Sequence, residues 1–276
     1  MTRIKRFTPV QRMFHLLLML SFLTQATSGL ARLYIETNWG RFLASIFGGY
    51  NKALTIHWRV GIFMLALLGI HIIYVLSRID WRHVPKSVSG PDSIFPRKED
   101  LFQALQHIGW LLGLKEAPRF DRWGYWEKFD YLAVFWGITL LGGTGLILYN
   151  PVFFSRYIPG WVLNVLLWVH RIEAILAIAH VTTIHFLIGH LRRHNFPMDL
   201  AMFEGSVDLA KARHERPAWV ERMEQSSNLH TTLVGSAPKA LRMLYFAFGY
   251  AVIICFLYLF VNGLANVRGL LGSWIL

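Results

Sequence analysis

Five long apolar runs, separated by polar segments, give the chain its dominant pattern. They lie at about 13–33, 53–76, 129–149, 161–187 and 243–261. Each run is close to the roughly 20 residues that an α-helix needs to cross a bilayer. The first run is also too long for a cleaved signal peptide. The pattern therefore predicts an all-α transmembrane protein with five membrane-spanning helices.

Composition and charge agree with a membrane protein and predict its orientation. Of the 276 residues, 54% are hydrophobic and 16% are charged, whereas soluble domains carry about 25% charged residues. Lysine and arginine are concentrated in alternate connecting segments, with four in 1–12, nine in 77–128 and eight in 188–242, against two in 35–52 and one each in 150–160 and 263–276. The positive-inside rule then predicts a cytoplasmic N-terminus and an extracytoplasmic C-terminus. The net charge of +12 is explained by this topology and by contact with anionic membrane lipid, not by nucleic-acid binding.

The chain is predicted to form a membrane domain with cytoplasmic loops over residues 1–225, followed by a linker and an extra transmembrane helix over 226–276. The leucine-rich segment 100–114 is too short to span the membrane and is predicted to lie in the cytoplasmic interface. Cys255 is the only cysteine, which excludes a cysteine-ligated iron–sulfur cluster and a covalently attached haem on this chain. Any such centre must belong to another subunit.

Two of the apolar runs each carry two histidines about four helical turns apart. These are His57 and His71 in the second run, and His170 and His185 in the fourth. Spacings of 14 and 15 residues correspond to about 21–22 Å of helix, with both members on nearly the same face. Ionisable groups at membrane depth are costly and usually functional. Matching depths pair His57 with His170 and His71 with His185, which predicts two non-covalent haem b groups, each held by two histidines.

Other polar residues in or near these runs are candidates for the same sites. His15, near the start of the first run, is an alternative partner for His185, and it could also face a quinone, as could His190. Arg59 and Arg171 are the arginines well inside the two histidine-bearing runs. Their guanidinium groups suit haem propionates, although arginines near the end of a span also snorkel to the interface.

Glycines recur in the two other central runs, with Gly29 in the first and Gly137, Gly142, Gly143 and Gly145 in the third. Small residues of this kind are typical of close packing between transmembrane helices. They would also let the backbone of a helix that supplies no ligand approach a bulky porphyrin. The two interpretations are compatible.

Several segments resemble one family of membrane cytochromes. RFTPVQRMFHLLLMLSFLTQATSGL resembles the first helix of the cytochrome b subunits of formate dehydrogenases, nickel–iron hydrogenases and thiosulfate reductases. IHWRVGIF and VHRIEAILA are similar to the second- and fourth-helix ligand segments, and AMFEGSV followed by RHERPAW is similar to the cytoplasmic tail. The resemblance covers roughly residues 6–220. It implies a four-helix haem-binding bundle, to which the fifth, C-terminal helix is an addition.

The resemblance also implies a ligand set, from which this sequence departs at one position. In the family the first helix supplies one ligand, matching His15, the second supplies one, matching His57, and the fourth supplies two, matching His170 and His185. His71 is extra. The paired spacings resemble instead the cytochrome b core of quinol–cytochrome oxidoreductases, where the second and fourth helices supply all four ligands. Depth ranks His71 first as the partner of His185, with His15 as a close rival.

The function implied is that of a di-haem b-type cytochrome subunit in the bacterial cytoplasmic membrane. Such a subunit moves electrons between a quinone, bound on the cytoplasmic side, and an extracytoplasmic iron–sulfur or multihaem c-type subunit, and it has no independent substrate site. The histidine count leaves room for a third haem. The alternatives are a proton or ion transporter that uses buried histidines and Glu173 without haem, and a purely structural membrane anchor. The layered histidine pairs argue against both.

Overall fold

The computed structural model describes residues 2–192 and 195–267. Over these residues the chain is mainly helical, with three short strands and two π-helical turns. The helices are α1 (Pro9–Leu33), α2 (Asn38–Ile46), α3 (Tyr50–Ser77), α4 (Val84–Ser89), α5 (Lys98–Leu111), α6 (Tyr125–Tyr149), α7 (Pro151–Phe154), α8 (Gly160–His180), α9 (Ala201–Glu204), α10 (Leu209–Glu215), α11 (Pro217–Gln225), α12 (Leu229–Thr232) and α13 (Lys239–Ala265). The strands are β1 (Arg3–Lys5), β2 (Ser206–Asp208) and β3 (Leu233–Val234), and the π-helical turns are Val181–His185 and Leu187–Leu191.

The predicted all-α transmembrane fold is confirmed. Within the described part of the chain, five helices are long and apolar enough to cross a membrane, namely Pro9–Leu33, Tyr50–Ser77, Tyr125–Tyr149, Gly160–Leu191 and Lys239–Ala265. Each contains one of the five apolar runs and extends it by a few residues into the polar flanks. Most of their apolar side chains are not covered by the rest of the chain, as expected for helices that face lipid or other subunits.

The chain divides into two units that interleave along the sequence. The loop unit comprises Met1–Arg12, Ile72–Val134 and Leu200–Arg242, and the bundle unit comprises Met13–His71, Phe135–Asp199 and Met243–Leu276, in each case as far as the structure describes them. The division into domains at residue 225 stays a prediction about how the chain is organised.

The loop unit is built around a small antiparallel sheet with the strand order β2–β1–β3. Ile4 pairs with Val207 on one side and with Leu233 on the other. The apolar core below it consists of Ile4, Phe7, Ala201, Val207, Ala212, Trp219, Val220 and Leu229. Strands of two or three residues are too short to show the alternation that marks a β-strand in a sequence, so hydropathy does not predict this sheet.

Ion pairs fasten the long loop of this unit to its other segments. Arg222 contacts Asp92 at 2.9 Å and Asp121 at 2.7 Å. Glu127, at the start of α6, accepts from Arg6 at 2.8 Å and from Arg216 at 3.0 Å. Burial alone would raise the pKa of Asp92, but the hydrogen bonds and charges of Arg222 and its neighbour Arg122 outweigh this and hold that pKa below its ordinary value.

The bundle unit is held together by close contacts between its long helices. A Cβ at Gly142 of α6 would lie only 2.3 Å from Leu65 Cδ2 of α3, so only glycine permits this packing. Phe256 of α13 is buried and stacks against Phe22 of α1 and edge-on against Phe186. The fifth helix therefore packs on the helices that were predicted to form the four-helix core.

Candidate functional site

The rings of His57 on α3 and His170 on α8 face each other across the bundle unit. Their centroids lie 6.2 Å apart and their planes make an angle of 77°. An imidazole nitrogen binds a first-row metal such as zinc at about 2.0–2.1 Å and lies about 1.1 Å from the ring centroid, so two rings on opposite sides of one ion have centroids about 6.3 Å apart. The observed separation therefore fits an iron atom held between the two imidazoles.

A second pair of rings has the same separation. His15 on α1 and His185, at the end of the first π-helical turn, have centroids 6.3 Å apart with 36° between their planes. His15 and Ser28, which contacts His57, are thirteen positions apart on α1, and thirteen positions correspond to about 20 Å of helix. The bundle unit therefore carries two facing histidine pairs at two levels.

In the His57–His170 pair, the Nδ1 atom of each ring contacts a hydroxyl group from a neighbouring helix. Neither of these two helices carries a ligand of the pair. Ser28 Oγ of α1 lies 3.0 Å from His57 Nδ1, and Thr144 Oγ1 of α6 lies 2.9 Å from His170 Nδ1. Each hydroxyl gives its single hydrogen to a backbone carbonyl one turn earlier, at 2.7 Å in both cases. It must therefore accept from the imidazole, which assigns the hydrogen to Nδ1 and leaves the Nε2 lone pair available to a metal.

A glycine follows each of these hydroxyl residues and brings its backbone against the same ring. A Cβ added at Gly29 would lie 3.2 Å from His57 Cε1, and one added at Gly145 would lie 3.4 Å from His170 Cε1. Each histidine therefore rests on a hydroxyl–glycine dipeptide from a neighbouring helix. The glycines were expected to admit a bulky group, and the structure places two of them directly beside imidazole rings.

Several residues on one face of α1 act on the His57–His170 pair. It carries Gln25, Ser28, Gly29 and Arg32, which are spaced three, one and three residues apart and so lie on one side of a helix. Gln25 Nε2 donates to the carbonyl oxygen of His57 at 2.9 Å. The charge of Arg32 acts on both imidazoles of the pair, and its buried Nε has no hydrogen-bond partner within the described part of the chain. Arg32 is therefore placed to meet an anionic group at this site.

The two arginines named from the sequence occupy different surroundings. Arg59 is exposed, with its guanidinium 5.5 Å from the centroid of the Trp58 ring. Arg171 is half-buried and its charge acts on the adjacent His170. The Oε1 atom of Glu173 would lie 3.7 Å from a Cβ added at Gly137. Of the two arginines, Arg171 is the one whose charge acts on the His57–His170 pair.

The two remaining predicted histidines have different neighbours. His190 makes an edge-on contact with the His185 ring, with centroids 5.5 Å apart. His71 packs edge-on against Phe14, the neighbour of His15, at 4.9 Å. Depth ranked His71 above His15 as the partner of His185, whereas the facing geometry at 6.3 Å favours His15. His15 is also the residue that the family resemblance implies.

The π-helical turns explain why α-helical periodicity alone could not predict which histidine is the partner of His185. An α-helix of 3.6 residues per turn leaves His170 and His185 about 60° apart around the axis. The structure closes Val181–His185 and Leu187–Leu191 with i to i+5 hydrogen bonds instead, and the wider turn rotates the later residues around the helix axis. Such turns are frequent at functional sites.

The residues of this arrangement fit a haem group. Among residues 2–192 and 195–267, no group of three or more histidine, cysteine, aspartate or glutamate side chains is arranged to hold a metal ion. Two imidazoles of such a pair would hold the iron of a haem group, which would supply a one-electron couple. The close glycine contacts and the unsatisfied Arg32 Nε agree with a bulky, anionic group between the helices.

Comparison with known proteins points to the same chemistry. The chain is 26% identical over 225 residues to the cytochrome b556(fdo) subunit of formate dehydrogenase from Escherichia coli K12, and the match covers 81% of this chain and 95% of that protein. The counterparts from the O6:H1 and O157:H7 strains match over the same lengths at the same identity. The family model for prokaryotic cytochrome b561 matches residues 6–205. The chain is therefore a member of the prokaryotic cytochrome b561 family, a multi-pass inner-membrane cytochrome b.

Proposed function

We propose that this chain is a di-haem electron-transfer subunit that links a membrane quinone to an extracytoplasmic redox partner. The observation that carries the proposal is the presence of two facing histidine pairs, with ring centroids 6.2 Å and 6.3 Å apart, at two levels of one helical bundle. Two such levels divide the crossing of the hydrocarbon core into shorter steps. Membership of a cytochrome family supports haem as the occupant.

The ligands proposed for the first haem are His57 and His170. Their Nδ1 hydrogens are donated to Ser28 and Thr144, so both imidazoles keep a fixed orientation. Arg32 and Arg171 are proposed to pair with propionates, because their charges already act on this histidine pair. When bound, each haem would supply a one-electron iron couple.

The ligands proposed for the second haem are His15 and His185, on the strength of their facing rings. His71, against Phe14, is proposed to help shape the same end of the bundle without binding iron. His190 lies beside His185 and is proposed to donate a hydrogen bond to a quinone carbonyl. His15 could not serve a quinone in this way while its ring ligates iron.

The partner and the orientation rest on charge and on the relatives. The three relatives are named as subunits of formate dehydrogenase, which supports a role in a larger redox complex for this chain. The excess of lysine and arginine supports a cytoplasmic N-terminus, an extracytoplasmic C-terminus and a quinone site on the cytoplasmic side. With a single cysteine, this chain would depend on a partner for an iron–sulfur or c-type centre.

The proposal is tested by spectra of the purified full-length chain in lipid vesicles. Chemical reduction should produce a b-type absorbance band, and a quinol should reduce at least part of it. His57→Ala should remove one spectral component, while His180→Ala, a change on the same helix as His170, should leave both. A chain without any reducible band, or one in which His57→Ala leaves an unchanged spectrum, would favour the transporter alternative based on Glu173.

A further inference from the structure

Helix α5 of the loop unit exposes a continuous apolar stripe. Leu101, Leu105, Ile108 and Leu112 follow one another at helical spacing, and their side chains are 64%, 53%, 53% and 68% exposed. Phe102, Leu111 and Leu114 widen the stripe and are at least as exposed as Leu101. A contiguous apolar surface of this kind marks a site of contact with a partner or with a membrane.

The opposite side of α5 is fixed to α6, so the outward direction of the stripe is determined by packing. Lys128 Nζ of α6 donates to Asp100 Oδ2 at 2.8 Å, and both side chains are buried. Asp100 also accepts from the backbone nitrogen of Arg97 at 2.6 Å, which caps the helix. The ring of His107 lies against α6, with Nδ1 3.0 Å from the hydroxyl oxygen of Tyr125. A rotation of α5 that buried the stripe would break a buried ion pair.

The surroundings of the stripe identify what covers it. Helix α6, to which α5 is fixed through its first turns, goes on to form a membrane span, so α5 lies where a span begins. Exposed lysines flank the stripe: Lys98 lies three residues before Leu101, and Lys115 follows the end of α5 with its stem beside Gly109. Lysines in such places extend their ammonium groups toward lipid headgroups while their stems cover apolar surface.

We propose that α5 is an in-plane membrane anchor whose apolar stripe enters the headgroup–acyl boundary of a bilayer containing anionic lipid. The apolar residues would displace interfacial water, and Lys98 and Lys115 would meet lipid phosphates. In this position α5 would fix the loop before α6 to the membrane surface. The alternative occupant is another protein subunit. Contact with a subunit would not explain why a lysine flanks each end of the stripe or why the stripe lies near the start of a span.

The proposal can be tested with spin labels, because the chain has a single native cysteine. In a Cys255→Ala background, a label is placed at Leu105→Cys, in the stripe, and at Glu99→Cys, an exposed position of the same helix outside it. The full-length chain is reconstituted into phosphatidylcholine vesicles with and without phosphatidylglycerol. Accessibility to oxygen, which concentrates in the acyl region, is compared with accessibility to a water-soluble nickel complex.

The label at position 105 should be reached more readily by oxygen than by the nickel complex, and the label at 99 should show the reverse. Phosphatidylglycerol should increase this difference, and Lys98→Gln with Lys115→Gln should abolish the increase. Equal exposure of both labels to the nickel complex would overturn the proposal. Protection of position 105 only after partner subunits are added would show a protein-docking surface instead. An unchanged absorption spectrum of each labelled variant shows that it is folded.

Discussion

Thr144→Val removes one oxygen atom from the site while keeping the branched shape of the side chain. The lost hydroxyl is the acceptor that lies 2.9 Å from His170 Nδ1. The variant therefore leaves the ligand, the packing and the charge of the site in place. It changes only the group that fixes the tautomer and the ring orientation of His170. Ser28→Ala makes the equivalent change for His57.

The size of the effect can be worked out from the role of this hydrogen bond. Losing the hydrogen-bond partner of a metal-ligating histidine typically weakens metal binding by about 10–100-fold. That factor corresponds to about 1.4–2.8 kcal/mol at 25 °C. The range agrees with the roughly 1–3 kcal/mol expected when a buried donor is left without its partner. We therefore expect the Thr144→Val protein to lose haem about 10–100 times more readily than the unmodified chain.

The assay is transfer of haem from the detergent-solubilised chain to an excess of a soluble haem-binding protein. Thr139→Val is the matched control, because the Thr139 hydroxyl also bonds a carbonyl one turn earlier on α6, at 2.8 Å from the Phe135 oxygen. Thr27→Ala is the corresponding control for Ser28 on α1. If Thr144→Val released haem no faster than Thr139→Val, the assigned tautomer and the role of the hydroxyl would both be wrong.

Three further predictions concern packing, charge and pH. Gly145→Val should reduce haem content strongly, because a Cβ there already lies 3.4 Å from the ring of a proposed ligand; pigment per protein measures this. Arg32→Gln should lower the midpoint potential of one haem by tens of millivolts, since removing a cation disfavours the reduced form and a tenfold change is about 59 mV; redox titration measures this. The pair of Asp92 and Arg222 should stabilise the loop unit by up to about 1 kcal/mol. Because the pKa of Asp92 is lowered on folding, this contribution is present above the unfolded pKa of about 3.9 and is lost as the pH falls through the folded value.

Each of these changes has a matched control in the chain. Gly143→Val is the control for Gly145, because a Cβ at Gly143 meets nothing within 4 Å. Arg59→Gln is the control for Arg32, since Arg59 is exposed and lies over Trp58; equal shifts from both would contradict the special position of Arg32. For Asp92, limited proteolysis of Asp92→Asn and the unmodified chain should differ at neutral pH and converge in acid. A difference that persisted in acid would disprove the assigned ion pair.

The helices were predictable because length and hydropathy alone determine membrane spans. The five apolar runs became helices with ends within a few residues of the expected positions. The sequence also predicted that the chain is a cytochrome, because histidines at membrane depth are costly and their pairing at two levels is typical of haem ligands. The structure also brings His57 and His170 together, the two residues that matched in depth.

The hydroxyl partners and the second pair were not predictable from periodicity. Ser28 and Thr144 contact histidines of other helices. Their role as hydrogen-bond partners therefore depends on the axial register and the rotation of one helix relative to another, which periodicity does not give. Each is followed by glycine, and a hydroxyl–glycine dipeptide in the two spans that carry no ligand of the His57–His170 pair was the available signal. His185 lies in a π-helical turn, and apolar residues carry no pattern that distinguishes such a turn from an α-helix. The sequence therefore leaves the choice between His15 and His71 open, and the proposal of His15 rests on its ring separation from His185.

The ligand set proposed for the second haem depends on which histidine faces His185. The decisive measurement is the haem-to-polypeptide ratio of the unmodified chain beside those of His15→Ala and His71→Ala, each with its reduced spectrum. We expect two haems in the unmodified chain, one after His15→Ala and two after His71→Ala. Loss of a haem from His71→Ala with full retention in His15→Ala would contradict this ligand set.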